Sequence, residues 1–359
     1  IGCILNICLR IRAMGKNKKI GCLALLLFSP FASAMQPLDD QSLSGATAQD
    51  GLNIGVHVSK IDFNQIAIID TDGFTNSSAS LTSKAALVMA ASPGGASAIG
   101  VDVVKTFNAD GSIDYGTSAL FNAAIDTDAG TGTNGAFANV ALTLGSDVNG
   151  LRIRPFSVYL TPDQYDPGDS TKHAISTLVG SDYTQHSIFS TGTTLKSPNI
   201  KELLRVSNNI DIKFVSNNKP TMNLQLGASP QGHMVMFGGA IDSICGPTTA
   251  NPDGCTLNLV SGTTGAKFDL QMSGKDANGF SLNGFYAGIE AGAGSVPGAV
   301  VFGNTGTSDK LNLNLNNVWL GDADAANANV FNGLNNGSLG NIGAVGISAT
   351  NLKMRVSGM

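Results

Sequence analysis

Short runs in which apolar and polar residues alternate recur along this chain. A period of two places successive side chains on opposite faces of a strand, so each run predicts a β-strand with one buried and one wetted face. The clearest runs are Ile210–Phe214, Met222–Leu226, Phe268–Met272, Leu311–Leu315 and Leu352–Val356. Asp-Gly or Asn-Gly pairs, which tolerate the positive φ of tight turns, lie between strand-like segments. They stand at Asp72-Gly73, Asp110-Gly111, Asn149-Gly150, Asp253-Gly254 and Asn278-Gly279.

The composition favours the same fold class. Of the 359 residues, 44 are Gly, only 13% are charged, and Glu202 and Glu290 are the only glutamates. Asp, Asn and Gly suit turns and strand ends, whereas Glu, Lys and Arg favour helix surfaces. We predict an all-β fold of Gly/Asn-rich antiparallel sheets, arranged as a sandwich or an elongated, stacked or solenoid-like structure. At most one or two short helices are expected, at Ile200–Val206 and Leu81–Ala91.

The first 34 residues are typical of an export signal. Three lysines (Lys16, Lys18 and Lys19) precede an apolar run, and the run ends in Ala32-Ser33-Ala34. A basic segment, a dozen apolar residues and a small-x-small site make up a secretory signal peptide, with cleavage after Ala34. The apolar run is shorter than the roughly 20 residues that a membrane-spanning helix needs. We interpret residues 1–13 as an over-extended reading frame, since Met14 stands directly before the lysines.

Charge argues against nucleic acid as a partner. The predicted leader carries five basic and no acidic residues, so cleavage lowers the formal net charge from −5 to −10. Binding to phosphates needs clustered Lys and Arg, and Arg152 with Arg154 is the nearest approach to a cluster. The mature chain also has no apolar stretch long enough for a transmembrane helix. We therefore expect an exported protein whose mature chain has no transmembrane helix.

Two cysteines remain after the predicted cleavage, Cys245 and Cys255, and they flank a Pro/Gly-rich loop. Two cysteines in an exported chain predict one disulfide. No His or third Cys lies close by in the sequence, so a metal pair or a reactive thiol is the weaker interpretation. We predict a structural disulfide.

Carboxylates two residues apart are the weak candidates for a metal site. The candidate ligands are Asp126, Asp128, Asp322 and Asp324. Ca²⁺ needs about 6–8 oxygen ligands, and no complete EF-hand loop occurs in the chain. We therefore predict no cofactor, with Ca²⁺ as the one ion that these loops could hold.

Catalytic motifs are absent from the sequence. There is neither an H-E-x-x-H zinc motif nor a G-x-S-x-G nucleophile elbow. A hydrolase would need one of the four histidines (His57, His173, His186 and His233) to meet a Ser and an Asp in a cleft. The chain is therefore predicted not to be an enzyme, and a secreted hydrolase is the least favoured alternative.

One segment after the predicted cleavage site carries a family resemblance. Met35–Ser44, Thr47–Leu52 and Ile66–Gly73 together resemble the opening of the FilA-like pilus-system proteins of Gram-negative bacteria. The resemblance implies a surface or pilus-associated component, and the family has no catalytic residues to transfer. Its implied partners are other pilus-system or outer-membrane assembly proteins.

The sequence thus predicts a protein that acts by assembly or adhesion, with self-association through sheet edges. We divide it into a signal peptide (1–34), a family segment (35–51), a first β region (52–220) and a second, Gly/Asn-rich region (221–359). The first alternative is a ligand-binding or Ca²⁺-binding adhesin. Its polar loops Tyr165–Lys172, Asp126–Gly135 and Gly321–Gly340 would hold a glycan or Ca²⁺.

Overall fold

The computed structural model describes ten stretches of the chain, and all of them belong to one compact unit that begins at Gly51. They comprise residues 51–70, 74–75, 80–81, 85–92, 99–130, 135–162, 201–261, 264–294, 297–322 and 338–357. The predicted signal peptide and the family segment up to residue 50 lie outside these stretches.

The described residues form strands and contain no helix, so the predicted all-β fold is confirmed. None of their elements is a helix long and apolar enough to cross a membrane. In chain order the strands are β1 (Leu52–Val56), β2 (Lys60–Phe63), β3 (Gln65–Asp70), β4 (Phe74–Thr75), β5 (Ser80–Leu81), β6 (Ala85–Ala90), β7 (Ile99–Phe107), β8 (Ile113–Tyr115), β9 (Phe121–Asp128), β10 (Phe137–Leu144), β11 (Gly150–Ile153), β12 (Phe156–Pro162), β13 (Lys201–Val206), β14 (Ile210–Phe214), β15 (Thr221–Gly227), β16 (Val235–Gly238), β17 (Ala240–Ile244), β18 (Cys255–Ser261), β19 (Thr264–Gly274), β20 (Phe280–Ser281), β21 (Phe285–Glu290), β22 (Ala299–Asn304), β23 (Leu311–Asp322), β24 (Ser338–Ile347) and β25 (Lys353–Val356).

Apart from the small β4–β5 pair, the strands form two antiparallel sheets. Sheet A has eight strands in the order β1-β9-β10-β15-β16-β21-β22-β25. Sheet B has fifteen strands, eleven of them along the path β2-β7-β11-β14-β17-β19-β18-β13-β12-β6-β3. The two ends of that path, β2 and β3, are separated in the sequence by Asn64 alone, so sheet B is a nearly closed ring.

The main apolar cluster lies on one face of sheet B. Four buried residues, Ala91, Ile99, Phe156 and Val206, pack together there. Side chains from both halves of the ring surround them: Phe63, Met89, Ile153, Val158, Leu204, Ile210 and Leu257. This cluster is therefore built by apolar side chains from strands far apart in the sequence.

Strand β19 is the branch point of sheet B. Along one edge it pairs first with β18 (Leu270 opposite Cys255) and then with β17 (Met272 opposite Ile244), and its other edge pairs with β23. Cys245 directly follows β17 and Cys255 begins β18. Their sulfur atoms lie at bonding distance, with 5.3 Å between the Cα atoms, which agrees with the predicted disulfide. The disulfide thus links the end of β17 to the start of β18, at the point where β19 passes from pairing with β18 to pairing with β17.

The predictions of a short helix at Ile200–Val206 and at Leu81–Ala91 were wrong. Residues 201–206 form β13, which pairs with β12 and β18, and residues 85–90 form β6, between β3 and β12. Each segment has a strand on both sides, and the ladder hydrogen bonds outweigh local helix propensity.

The predicted regions 52–220 and 221–359 share both sheets. In sheet A, β10 pairs with β15, and in sheet B, β13 pairs with β18. Hydrogen-bonded ladders therefore cross residue 220 in each sheet.

Candidate assembly surface

An uninterrupted apolar row crosses the whole of sheet A. Each of the eight strands contributes one residue, and each residue lies directly opposite the next. The row runs Leu52, Ile125, Val140, Leu224, Val235, Ala287, Phe302 and Met354. Only its two ends are widely open to solvent, with Leu52 56% and Met354 52% exposed. We call this set the apolar row.

The face that carries the apolar row, here the inner face, packs on sheet B over part of its area. A cavity of about 400 Å³ between the sheets is lined by Leu142, Met222 and Phe237 from sheet A and by Leu151, Ile212 and Phe214, among others, from sheet B. The ring of Phe285 also contacts that of Phe280 in sheet B, with 5.5 Å between the ring centroids. This part of the inner face is therefore covered.

Next to the apolar row, the inner face is uncovered. Ile289, Val300 and Val356 lie opposite one another on β21, β22 and β25, and they are 71%, 57% and 62% exposed. We call these three residues the open row. Three neighbouring β-branched side chains in water are a common sign of an interaction surface when they continue an apolar patch.

The opposite, outer face of β25 is basic. Lys353 donates a hydrogen bond to Glu290, and the Nε of Arg355 lies 3.3 Å from the same carboxylate. The hydrogen bond from Lys353 is the main reason why the pKa of Glu290 is lowered from its usual value. Two cations thus share one carboxylate, which leaves a net positive charge at this edge of sheet A.

At the other edge of sheet A, the outer face is acidic. Asp126 and Asp128 are exposed on β9, and each accepts a hydrogen bond from a nearby backbone N–H, of Thr127 and Gly130 respectively. Gly51, which precedes β1, has a φ of +62° and presents no side chain beside Asp126. The acidic side chain therefore lies next to an open edge.

Within the described part of the chain, both outer strands of sheet A have a free edge. Among the described strands, β1 pairs only with β9 and β25 only with β22. A sheet edge presents N–H and C=O groups that another strand can pair with, and charged residues or bulges are common devices against such pairing. Strand β25 has its charges on one face only, so its apolar face is not protected.

A polar network covers part of the outer face of sheet A. Asn223 donates to Asn139 (2.9 Å) and to Gln231 (2.8 Å), and Gln225 donates to Asn139 (3.1 Å). Nearby, the rings of His233 and Tyr286 stack with 3.6 Å between their centroids. A pocket of about 480 Å³ lies beside this network, lined by Gln225, His233, Glu290, Leu226, Ile289 and neighbouring residues. It offers amide, imidazole and carboxylate groups together with apolar surface.

Within the described residues, the predicted Ca²⁺ ligands do not form a cluster. Asp126 and Asp128 lie near one end of sheet A, whereas Asp322 ends β23 in sheet B, and Asp324 lies outside the described residues. Within the described part of the chain no group of three His, Cys, Asp or Glu residues is placed to hold a metal ion.

The structure describes two of the four histidines. His57 is exposed after β1, and His233 takes part in the stack with Tyr286. His173 and His186 lie outside the described residues, as does the predicted loop Tyr165–Lys172. The other two predicted loops, Asp126–Gly135 and Gly321–Gly340, are described only in part.

Arg152 and Arg154, the nearest approach to a basic cluster in the sequence, are each paired with carboxylates. Arg152 donates two hydrogen bonds to Asp211, of 2.6 and 2.8 Å, in a buried pair. Arg154 is paired with Asp62 and lies 3.3 Å from Asp102. The positive charge of both arginines is therefore compensated within sheet B.

The sequence predicted only part of what the structure shows about the free apolar edges. The alternation of Leu352, Met354 and Val356 with two basic residues showed that β25 has one apolar and one charged face. It did not show that the apolar face stays open, because that depends on how far sheet B extends over sheet A.

Comparison with known proteins adds one finding. A model described as a family of unknown function (DUF6160) matches residues 14–149, which include residues 14–34 of the predicted export signal and the first ten strands. No curated protein and no solved structure matches the chain.

Proposed function

We propose that this chain is an exported structural protein of a pilus-type surface system, which acts by assembly or adhesion and not by catalysis. The free edges of sheet A carry the proposal, since apolar side chains are exposed on both outer strands at Leu52 and Met354. An open apolar edge can pair non-specifically with other strands, so we expect a secreted protein to cover it unless the edge binds a partner.

Two sequence features support this function. The basic and apolar leader ending at Ala34 is typical of export, and the segment from Met35 resembles FilA-like pilus-system proteins. Export places the protein in the periplasm, at the outer-membrane surface or in an extracellular pilus. Its partners there are other assembly proteins of the system or further copies of the chain.

The test compares the location and mass of the wild-type protein with those of a variant whose edge is blocked. Cells expressing the tagged chain are fractionated and sheared, and the released material is examined by size-exclusion chromatography with light scattering. We expect wild-type protein in the sheared, high-mass fraction. The double variant Met354→Lys, Val356→Lys places two charges on the apolar face of β25 and should shift the protein to monomer.

A matched control separates the effect of the edge from that of added charge. Ala277→Lys adds a lysine on an exposed turn between β19 and β20, away from sheet A, and should leave the high-mass fraction unchanged. A wild-type protein that remains a periplasmic monomer at every concentration would contradict the assembly function.

Ligand binding is the second candidate, favoured by the pocket of about 480 Å³ beside His233 and Glu290. Such a pocket would make the chain an adhesin that holds a polar ligand such as a glycan. Screening a glycan array with wild-type protein and with His233→Ala would test it. Binding that is lost in the variant, from a protein that stays monomeric, would favour the adhesin over the assembly protein.

A further inference from the structure

We infer that sheet A of one copy continues into sheet A of the next, by antiparallel pairing of β25 with β1 of a second copy. Met354 would lie opposite Leu52 and Lys353 opposite Asn53. The inference rests on the proposed function, because it names the partner and the register of that assembly.

Strand direction is the first argument. All seven pairings along sheet A are antiparallel, so the eight strands alternate in direction from β1 to β25. The next strand after β25 must therefore run in the direction of β1. A second β1 satisfies this requirement without reversing the molecule.

The apolar row is the second argument. With Met354 opposite Leu52, the row of one copy runs directly into the row of the next, and its two exposed ends cover each other. The same register places Leu352 opposite Ile54, which are 43% and 41% exposed. A slip by one residue would put the apolar side chains of one strand on the same face as the polar side chains of the other, because side chains alternate between faces.

Charge is the third argument. In this register Arg355 lies opposite Gly51 of the second copy, where no side chain fills the edge. Asp126 of that copy is one strand further, and adjacent strands are about 4.8 Å apart, so the long arginine side chain can reach across the glycine. The net positive edge at Lys353 and Arg355 thus meets the acidic edge at Asp126 and Asp128.

The predicted contact uses two different surfaces of the same chain. Such a heterologous contact leaves β1 free on the first copy and β25 free on the second, so it repeats and gives an open-ended fibre unless the rotation closes a ring. Pairing of β25 with a second β25 would instead stop at a dimer.

The test uses single cysteines at the two edges of the full-length exported protein. Asn53→Cys and Lys353→Cys are both on exposed strands and, in the predicted register, lie opposite each other on the outer face. Under a mild oxidant each single variant alone should stay uncross-linked. An equal mixture of the two should give cross-linked dimers, and the double variant should give a ladder of multiples of the monomer mass.

The matched control changes only the face of the sheet on which one of the two cysteines lies. Asn53→Cys mixed with Met354→Cys places the two thiols on opposite faces of the predicted ladder and should lose the cross-link. Far-UV circular dichroism and urea unfolding of each variant show that the fold is kept, and the wild-type chain run in parallel accounts for its own cysteines.

The outcomes separate this inference from the proposed function. Dimers from Lys353→Cys alone would mean that β25 pairs with itself and would overturn the inference. High-mass material without the 53–353 cross-link would also overturn it, while leaving an assembly function by another surface. Protein that is monomeric by light scattering would overturn both.

Discussion

At the residue scale, Asp147 holds together the loop after β10 and the segment before β9. Its carboxylate accepts hydrogen bonds from the hydroxyl of Ser118 and from the backbone N–H of Thr117, the latter at 2.7 Å. These bonds, that of Ser118 first, hold the pKa of Asp147 far below its ordinary value of 3.8. The folded state therefore favours the ionised form.

The stability that Asp147 contributes should depend on pH in one direction. Because its pKa is lowered in the folded state, the contribution is complete above the ordinary value of 3.8 and is lost as the pH falls below it. We expect Asp147→Asn to lower the melting temperature at pH 7, and the difference from wild type to shrink between pH 4 and pH 2. Thermal unfolding across this range measures it. A difference that stays constant with pH would contradict the role of the charge.

The pair Cys245–Cys255 offers a second prediction at this scale. A disulfide that closes a loop of this length contributes on the order of 2–3 kcal/mol by restricting the unfolded chain. Cys245→Ala, Cys255→Ala should lower the free energy of unfolding in urea by about that amount. Mass spectrometry of unreduced, periplasmically expressed protein should find no free thiol at either position, and two free thiols there would contradict the bridge.

At the scale of elements, the turn at Gly239 carries the chain from β16 in sheet A directly to β17 in sheet B. Its φ is +77°, and a Cβ atom at this position would lie 2.0 Å from the backbone oxygen of Lys219. Neither the backbone angle nor the space suits any other residue.

A pair of glycine variants should separate the cost of the positive φ from the cost of the steric clash with the backbone. Gly232 also has a positive φ, of +94°, but nothing lies within 4 Å of an added Cβ. We expect Gly232→Ala to lower the free energy of unfolding by about 1 kcal/mol and Gly239→Ala by on the order of 3 kcal/mol. Equal losses in urea unfolding would show that the close approach of Lys219 can relax.

The sequence was most informative about elements with regular alternation. The runs at Ile210–Phe214 and Leu311–Leu315, for example, both lie in strands, β14 and β23. Such runs encode strand and face together, since a period of two fits no helix. Asp110-Gly111 and Asn278-Gly279 likewise fall in turns, with positive φ at both glycines.

Residues 201–206 show where local patterns failed. Lys, Glu, Leu and Arg are good helix formers, and Glu202 and Arg205 are spaced as an ion pair on a helix would be. In β13 the register shifts by one residue at Leu203, which brings Glu202 and Arg205 to one face, 2.6 Å apart. A bulge thus imitates helical spacing, and nothing local in the sequence distinguishes the two.

The sequence predicted the chemical character of the candidate site, but not its position in the fold. Alternation along β25 revealed one apolar and one basic face. The opposition of Met354 to Phe302, and through six further pairs to Leu52, depends on strand pairing over some 300 residues. No sequence period records which strands become neighbours.

At the scale of the whole molecule, both sheets draw their strands from both halves of the chain. β10–β15 joins the halves in sheet A, and β13–β18 joins them in sheet B. Folding of one half alone would leave long strand edges unpaired in both sheets.

We therefore predict that residues 35–220 and residues 221–359 do not fold when expressed separately. Each fragment should lack a cooperative urea transition and bind a hydrophobic dye, whereas the full chain should unfold in one transition. Coexpression of both fragments provides the matched control, because it restores every ladder except the covalent link at residue 220. A cooperative transition in either fragment alone would show that the halves are independent domains.

The first and last strands of the described chain, β1 and β25, are also the two outer strands of sheet A. A polypeptide truncated before residue 353 would keep one of these strands and lack the other. In a fibre built from β25 to β1, such a chain could join a growing end but offer no site for the next subunit. Incomplete chains would then terminate growth. Shorter fibres would therefore indicate that a larger fraction of the chains in the cell is incomplete.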